Sequence, residues 1–182
     1  MTKLPREKAR SVGVSNFTIG HVSPVLLRRL LKMRSQNLLY QIETIINDTG
    51  VVPAVNQIER HPRLPNTAMV DYCFRRNILV TAYSAFGNNS FGLPLLVNTP
   101  EVKAVAERLS AATGKQVTGA QVALAWSQVG GHAVIPKSVT PSRIWENFQE
   151  VELDDEAVKA LDMLAKDGRR FNIPTTCESN AS

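Results

Sequence analysis

The sequence contains 182 residues, of which 43% are hydrophobic and 20% are charged. A chain of this length and composition can bury one substantial core, so we do not expect a disordered protein. No apolar run approaches the roughly 18 residues that a membrane span needs, and the first eight residues lack the apolar segment of a signal peptide. We therefore expect a globular cytoplasmic protein without a membrane partner.

The net charge of +5 is concentrated in one segment. Between Thr18 and Gln41 there is no acid and there are four cations, Arg28, Arg29, Lys32 and Arg34, so the remaining residues together carry a net charge of only +1. Because no basic surface extends over the whole chain, nucleic acid is not an expected partner. The two cysteines, Cys73 and Cys177, lie far apart and outside any metal-ligand spacing, which predicts free thiols and no metal site.

Short apolar runs alternate along the chain with stretches of helical periodicity. The predicted strands are Ser11–Val14, Val52–Val55, Ile78–Ala82 and Ala133–Ile135. The predicted helices are Ala68–Arg76, Glu101–Ala112 and Thr118–Gln128, with a further helix that begins at Asp154–Glu156. The second of these helices is expected to open at Thr99 or Pro100 and to close at Gly114. This alternation indicates the α/β class, with β–α units arranged around a parallel sheet.

Polar side chains follow each predicted strand. The segments concerned are Ser15–Phe17, Asn56–Glu59, Tyr83–Gly87 and Lys137–Ser138. In open parallel sheets and in β/α barrels alike, ligands bind at the carboxyl ends of the strands. Amide side chains both donate to and accept from a carboxamide, and a tyrosine ring offers a flat face for stacking. These residue types therefore suit a nicotinamide ring.

The segment Val134–Asn147 has the pattern of a phosphate site. A buried-type strand ends at Pro136, and Pro141 suits the first turn of a following helix. Lys137 and Arg143 lie on either side of that helix start, where free N–H groups already favour an anion. The alternative interpretation is a strand–turn–helix whose charges are simply solvated, and the segment alone leaves both interpretations open.

Taken together, the motifs are similar to those of a known family. In chain order they are Gly13–Phe17, Pro53–Glu59, Thr81–Ser84 and Ile135–Asn147. The sequence resembles the C-terminal half of an aldo-keto reductase, in which these motifs occur in the same order on the fifth to eighth strands. The resemblance implies a partial (β/α)8 TIM barrel, with residues 1–182 forming a single partial oxidoreductase domain.

The resemblance also implies an NADP site. The nicotinamide carboxamide would be held by Ser15, Asn16 and Gln57, and the nicotinamide ring would stack on Tyr83. The residues that would follow the pyrophosphate are Ser84, Phe86 and Gly87, although Phe86-Gly87-Asn88-Asn89 departs from the family's usual Pro-Leu-Gly. The adenosine end would be held by residues of the phosphate segment, namely Lys137, Ser138, Val139, Thr140, Arg143, Glu146 and Asn147. Two cations at that end favour the 2′-phosphate of NADP over the neutral hydroxyl of NAD.

The family's catalytic groups have no counterpart in these motifs. By the resemblance, an Asp, a Tyr, a Lys and a His carry the reaction, and all four belong to the first half of the barrel. No catalytic residue is therefore assigned in this sequence. His61, which follows the second predicted strand, is interpreted as a structural or rim histidine, with direct contact to a substrate as the alternative, and Tyr72 as a packing residue.

The connection between Phe17 and Asn56 is longer than the fold needs. It contains 38 residues, whereas a crossover helix with two short loops needs roughly 20. Residues 20–40 are therefore a predicted insertion, either a retained intervening segment or a genuine surface insertion. The basic helix candidate Val25–Met33 within it leaves a calmodulin- or membrane-binding role as a further alternative. At the other end, Phe171–Ser182 is predicted to be a C-terminal tail.

Three functions remain open from the sequence. The first is an NADPH-dependent reductase of aldehydes or ketones, inactive unless the catalytic half is supplied. The second is a non-catalytic NADP-binding or interaction protein, and the third is a truncated product. Half of an eight-stranded barrel exposes two strand edges and apolar surface, so self-association is expected. If the catalytic half is supplied, the partner is a small carbonyl or alcohol substrate, with aldehydes, ketones, polyols and sugars all open.

Overall fold

The computed structural model describes residues 7–17, 41–87, 94–168 and 170–172. The chain forms two compact units, one built from Met1–Ile58 with Asn66–Thr81 and the other from Glu59–Pro65 with Ala82–Ser182. The predicted insertion at residues 20–40, Cys177 and the tail beyond Asn172 lie outside the described residues. No helix of the described part is long and apolar enough to cross a membrane.

Strands and helices alternate along the described chain. The strands are β1 (Gly13–Ser15), β2 (Val55–Glu59), β3 (Leu79–Tyr83) and β4 (Ala133–Val134). The α-helices are α1 (Gln41–Thr49), α2 (Thr67–Arg75), α3 (Pro100–Thr113), α4 (Gly119–Gln128), α5 (Pro141–Asn147) and α6 (Asp155–Asp162). Two 3₁₀ helices cover Leu96–Asn98 and Met163–Asp167.

The strands form one sheet in the order β1-β2-β3-β4. Strand β1 pairs with β2 in parallel, with Gly13 opposite Val55 and Ser15 opposite Gln57. Parallel neighbours need crossover connections, and a helix follows each of the first three strands before the next strand begins. The predicted α/β class, with a parallel sheet of alternating strands and helices, is confirmed.

Helix α3 begins and ends at the residues that the sequence indicates. Thr99 is its N-cap, Pro100 is its first residue, and Gly114 closes it with a φ of 67°. Proline suits the first helical position because its missing N–H would have no partner there, and glycine adopts the left-handed closing conformation without strain. The predicted limits of this helix are therefore confirmed.

Strand β2 lies further along the chain than the sequence predicted. The prediction placed the strand at Val52–Val55 and treated Asn56–Glu59 as its polar end, whereas β2 begins at Val55 and includes all four of those residues. Asn56 is fully buried and donates through Nδ2 to the carbonyl oxygen of Phe17 at 3.1 Å. A buried polar residue with a hydrogen-bond partner thus continues the strand beyond its apolar run. The other three predicted strands overlap the observed ones and differ by one or two residues at their ends.

Each unit has its own apolar core. In the first unit the apolar cluster comes from α1, β2, α2, β3 and the residue just before β3, and its buried members are Ile42, Ile58, Tyr72, Cys73, Ile78 and Val80. In the second unit they come from α3, α4 and α6, and they include Val102, Val105, Leu109, Val122, Trp126 and Leu161. Cys73 is a buried free thiol, as predicted.

Tyr72 belongs to the first of these cores. Its side chain is buried, and its hydroxyl donates to Glu43 at 2.5 Å. Glu43 also pairs with Arg76 at 2.7 Å. Burial and the hydrogen bond to Glu43 raise the pKa of Tyr72 to about 12. The tyrosine therefore acts as a neutral donor that links α2 to α1.

Candidate cofactor site

The first unit brings together the three residues predicted to hold a carboxamide. Ser15 lies in register with Gln57, and its Oγ donates to the Gln57 carbonyl oxygen at 3.1 Å. The N–H of Asn16 donates to the same carbonyl at 2.8 Å. Asn16 has a φ of 57°, a left-handed conformation that asparagine tolerates better than most residues, and it ends the extended path of β1. The three residues are therefore neighbours, and their contact with a nicotinamide stays a prediction.

The second unit places the predicted pyrophosphate residues in a tight turn that follows Tyr83. Ser84 opens the turn with a φ of 55°, and Gly87 closes it with a φ of 68°. The N–H of Gly87 donates to the Ser84 carbonyl at 2.8 Å, and the Phe86 carbonyl accepts from Leu96 at 2.9 Å. The turn Ser84–Gly87 is thus a defined local structure, with Phe86 and Gly87 half-buried.

The predicted phosphate segment follows β4 and leads into α5. Ser138 Oγ accepts from the N–H of Thr140 at 3.2 Å, which forms a local turn, and Val139 at its tip is 78% exposed. Lys137 and Arg143 are both exposed, and neither makes an ion pair with a described acid. Lys137 directly precedes this turn and Arg143 belongs to the first turn of α5, and cations without acidic partners are suited to bind a phosphate.

Two further residues predicted for the adenosine end, Glu146 and Asn147, lie at the end of α5. Glu146 accepts from the Thr118 hydroxyl at 2.7 Å, and its backbone carbonyl accepts from Gln121 Nε2 at 3.5 Å. Asn147 lines a groove together with residues of α4, including Gln121. These contacts hold one side of α5 against the first turn of α4, so Glu146 already has a structural role in this part of the chain.

A buried polar cluster at the end of β2 was not expected from the sequence. Glu59 is fully buried, and its Oε1 accepts from the N–H of Phe171 at 2.7 Å. Its Oε2 accepts from the N–H of Asn172 at 3.0 Å. Nε2 of His61, also fully buried, lies 3.1 Å from Oε1. The sequence feature that could have predicted this cluster is an acid and a histidine two positions apart at the end of a strand. The cluster holds Phe171 and Asn172, the first two residues of the predicted tail.

The Glu59 carboxyl is ionised despite its burial. Burial by itself would raise its pKa, but hydrogen bonds from His61 and from the N–H groups of Phe171 and Asn172 together outweigh that effect. The pKa of Glu59 therefore lies below its ordinary value. A negative charge inside the second unit is thus balanced by donors that the chain itself supplies.

Arg60, the next residue, is a structural cation. Its guanidinium lies 4.4 Å from the centre of the Trp126 ring, and Nη1 donates to the Ser127 carbonyl at 2.7 Å. Burial lowers the pKa of Arg60 to about 10, with Asp162 opposing the shift, so the group stays charged at neutral pH. Among the described residues, no group of three or more His, Cys, Asp or Glu is placed to hold a metal ion.

A sequence model of the Aldo/keto reductase family matches residues 6–166. The chain is 61% identical over 176 residues to D/L-glyceraldehyde reductase of Hypocrea jecorina, which covers 97% of the chain and 47% of that protein. It is 40% identical over 161 residues to glycerol 2-dehydrogenase (NADP(+)) of the same organism, covering 86% and 42%. The chain thus spans about half the length of the curated relatives it matches.

Solved structures agree with these matches. An aldo-keto reductase of the silkworm Bombyx mori superposes with a TM-score of 0.68 at 31% identity, over 93% of this chain and 46% of that one. Aldose reductase from Giardia lamblia gives a TM-score of 0.66 at 32% identity, over 94% and 50%. With its parallel α/β fold and its matching motifs, the chain belongs to the aldo/keto reductase family.

Proposed function

We propose that the chain binds NADP and forms the cofactor-binding part of a cytoplasmic reductase that converts an aldehyde or ketone to an alcohol. One observation carries the proposal: Lys137, next to the turn at Ser138, and Arg143, in the first turn of α5, are both exposed and have no acidic partner among the described residues. A 2′-phosphate would accept charge-assisted hydrogen bonds from both cations, whereas the ribose hydroxyl of NAD carries no charge.

The donors and acceptors of each unit suit the part of the cofactor that we assign to them. In the first unit, the exposed Ser15 hydroxyl and the half-buried Gln57 amide supply both the donors and the acceptors that a carboxamide needs. In the second unit, Ser84 Oγ accepts from Asn172 Nδ2 at 2.6 Å and keeps its own proton for a phosphate oxygen. When bound, NADPH would supply the hydride for carbonyl reduction, and the residues named here would hold and orient it.

We propose further that the acid that protonates the carbonyl oxygen comes from outside these 182 residues. His61 is buried against Glu59, and Tyr72 is buried and bound to Glu43, so neither side chain is available to a substrate. The names of the two Hypocrea jecorina relatives favour small polyhydroxy compounds, such as glyceraldehyde or glycerol, as substrates of the complete enzyme.

The second candidate function is a non-catalytic NADP-binding protein. It is favoured by the same observation that His61 and Tyr72 already have protein partners within the described residues. In that function, cofactor occupancy would change the binding of another protein, and no carbonyl would be reduced.

The test uses the purified 182-residue chain. NADPH is titrated while the nicotinamide fluorescence is followed, and NADPH oxidation is then measured with D-glyceraldehyde and with an aromatic aldehyde. Saturable binding without turnover is the expected result. Turnover by this chain alone would overturn the proposal that the acid lies elsewhere, and absence of saturable binding would overturn the cofactor assignment.

A further inference from the structure

The turn Ser84–Gly87 is packed against Phe171 and Asn172, which are together called the C-terminal segment below. Asn172 donates through Nδ2 to Ser84 Oγ at 2.6 Å. A Cβ on Gly87 would lie 2.9 Å from Cε2 of Phe171, so the phenylalanine ring lies directly on the glycine. The same ring is 4% exposed, and its centre lies 5.0 Å from that of His61. The turn and the segment therefore form one packed structure.

A single carboxylate fixes the backbone of this segment. Both oxygens of Glu59 are used, one by the N–H of Phe171 and the other by the N–H of Asn172. Hydrogen bonds to an ionised acceptor are stronger than those between neutral groups, and a buried N–H left without an acceptor is destabilising. Glu59 therefore determines whether Phe171 and Asn172 stay on the turn.

Ser84 is the residue through which the segment acts on the turn. Its φ of 55° lies in a region that is strained for a residue with a side chain. Such a conformation persists when neighbouring contacts hold it, and here Asn172 binds the hydroxyl while Gly87 binds the carbonyl. Loss of the Asn172 contact is expected to let Ser84 relax out of this conformation.

We propose that Glu59, Phe171 and Asn172 form a C-terminal clamp that holds the turn Ser84–Gly87 in its cofactor-binding conformation and thereby sets the affinity for NADP. The inference rests on the proposed function, because the turn is assigned to the cofactor pyrophosphate there. Glu59 and Asn172 are positioning residues that act through Ser84. By thermodynamic linkage, if the closed clamp raises the affinity for the cofactor by some factor, bound cofactor raises the equilibrium constant for closing the clamp by the same factor.

Trypsin gives a direct measure of the clamp. Arg170 is exposed, and cleavage of the Arg170–Phe171 bond requires the N–H of Phe171 to leave Glu59. In Glu59→Gln the charge is lost and only one acceptor oxygen remains, so we expect this bond to be cleaved about tenfold faster than in the wild type without cofactor. The matched control is Glu107→Gln, at an exposed position of α3 outside the clamp.

Comparison of the cleavage sites by mass spectrometry separates clamp release from global unfolding, because unfolding accelerates cleavage at every site. Wild-type cleavage rates at Arg170 in Glu59→Gln would overturn the clamp. Asn172→Ala provides a second, milder variant, since it removes the side-chain bond to Ser84 and keeps the backbone bond to Glu59. The control for this variant is Asn98→Ala, an exposed asparagine elsewhere in the second unit.

The coupling to the cofactor is tested with NADP+ as the probe. We expect Asn172→Ala to bind NADP+ about tenfold more weakly than the wild type does. Saturating NADP+ should slow cleavage at Arg170 in the wild type and have little effect in Asn172→Ala, a dependence that a purely structural contact would not produce. Binding of NADP+ by the wild type with unchanged cleavage at Arg170 would overturn the coupling.

If the proposed function is wrong, the experiments give a different result from the one expected if only the clamp is wrong. If the wild type does not bind NADP+, the cofactor assignment and the coupling fail together. The cofactor-free cleavage rates of the wild type and Glu59→Gln still decide whether Glu59 holds the C-terminal segment.

Discussion

Two regions of the second unit differ in whether their charged groups are buried or exposed. The Glu59 carboxylate is fully buried, and its oxygens accept from two backbone N–H groups and contact His61. Lys137 and Arg143 are exposed and have no acidic partner in the described part of the chain. A buried charge must be satisfied by the protein itself, whereas an exposed cation is free to meet a ligand. The first region is therefore structural, and the second is suited to recognition.

Arg60 shows that burial, and not residue type, makes this distinction. It is a cation like Lys137, yet it stacks on Trp126 and donates to the Ser127 carbonyl. Because its guanidinium is buried against Trp126 and donates to a carbonyl inside the second unit, Arg60 is not exposed to an anion in solution. A search for phosphate-binding residues that counted every basic residue near a strand end would therefore have included Arg60, whose side chain is buried in the second unit.

The largest effect is expected from Glu59→Ala. This change removes the acceptor of two buried N–H groups, each of which is destabilising by roughly 1–3 kcal/mol when left without a partner, so we expect a total loss of about 2–6 kcal/mol. The free energy of unfolding is measured by urea denaturation. Glu107→Ala, at an exposed position, serves as the control and should change it by no more than about 0.5 kcal/mol. Equal small losses in both variants would show that the buried carboxylate is not structural.

The next effect concerns the two exposed cations. Each charge-assisted hydrogen bond to the 2′-phosphate is worth about tenfold in affinity, so we expect Lys137→Ala combined with Arg143→Ala to weaken NADPH binding by roughly 100-fold. NADH binding should change much less because its ribose carries no phosphate. Titrations of both nucleotides, monitored by nicotinamide fluorescence, provide the measurement.

A matched double variant controls for the loss of charge. Lys103→Ala combined with Lys115→Ala removes two exposed cations from the region of α3 and should leave both nucleotides bound as in the wild type. Equal losses of NADPH and NADH affinity in the Lys137 and Arg143 variant would contradict the 2′-phosphate assignment.

Elements with local signals were predictable from the sequence. The limits of α3 follow from Thr99, Pro100 and Gly114, because caps are chosen by residues adjacent in sequence. Strand β2 was misplaced because Asn56 and Glu59 are polar, and their burial depends on partners distant in sequence, the Phe17 carbonyl and the N–H of Phe171. A pattern based on apolar runs cannot include such residues.

The same reason explains what the sequence revealed about the candidate site. Ser15 and Gln57 could be grouped in advance because parallel strands align their carboxyl ends, and they do lie in register. The clamp could not be predicted, since Glu59 and Phe171 are 112 positions apart and the contact uses backbone N–H groups that carry no residue-specific signal. Phe171 was accordingly assigned to a tail, although it is buried.

A third prediction follows from the lowered pKa of Glu59. A carboxyl whose pKa is lower in the folded state contributes stability above its ordinary value of 4.5 and loses that stability as the pH falls through the folded pKa. We therefore expect the free energy of unfolding of the wild type to exceed that of Glu59→Gln by less as the pH falls below 4.5. Urea denaturation of both proteins between neutral and acidic pH measures it. An advantage that grows on acidification would contradict the direction of the shift.

The smallest effect concerns the exposed apolar face of α5. Trp145 in α5 is 73% exposed and Phe148, the residue that caps the C-terminus of α5, is 80% exposed, while Glu146 of the same helix accepts from the Thr118 hydroxyl. We propose that this face takes part in the self-association expected from the sequence, with a second copy of the chain as its partner. Replacing both aromatic residues by serine should weaken association by about 1 kcal/mol, or roughly fivefold, as measured by sedimentation at several protein concentrations.

Phe74 provides the control for that experiment, because it is 76% exposed on α2 in the first unit. Phe74→Ser removes a comparable exposed ring and should leave the association constant unchanged if the face of α5 is the specific contact. An equal decrease in Phe74→Ser would instead indicate that self-association depends on total exposed apolar surface, and α5 would then have no special role in it.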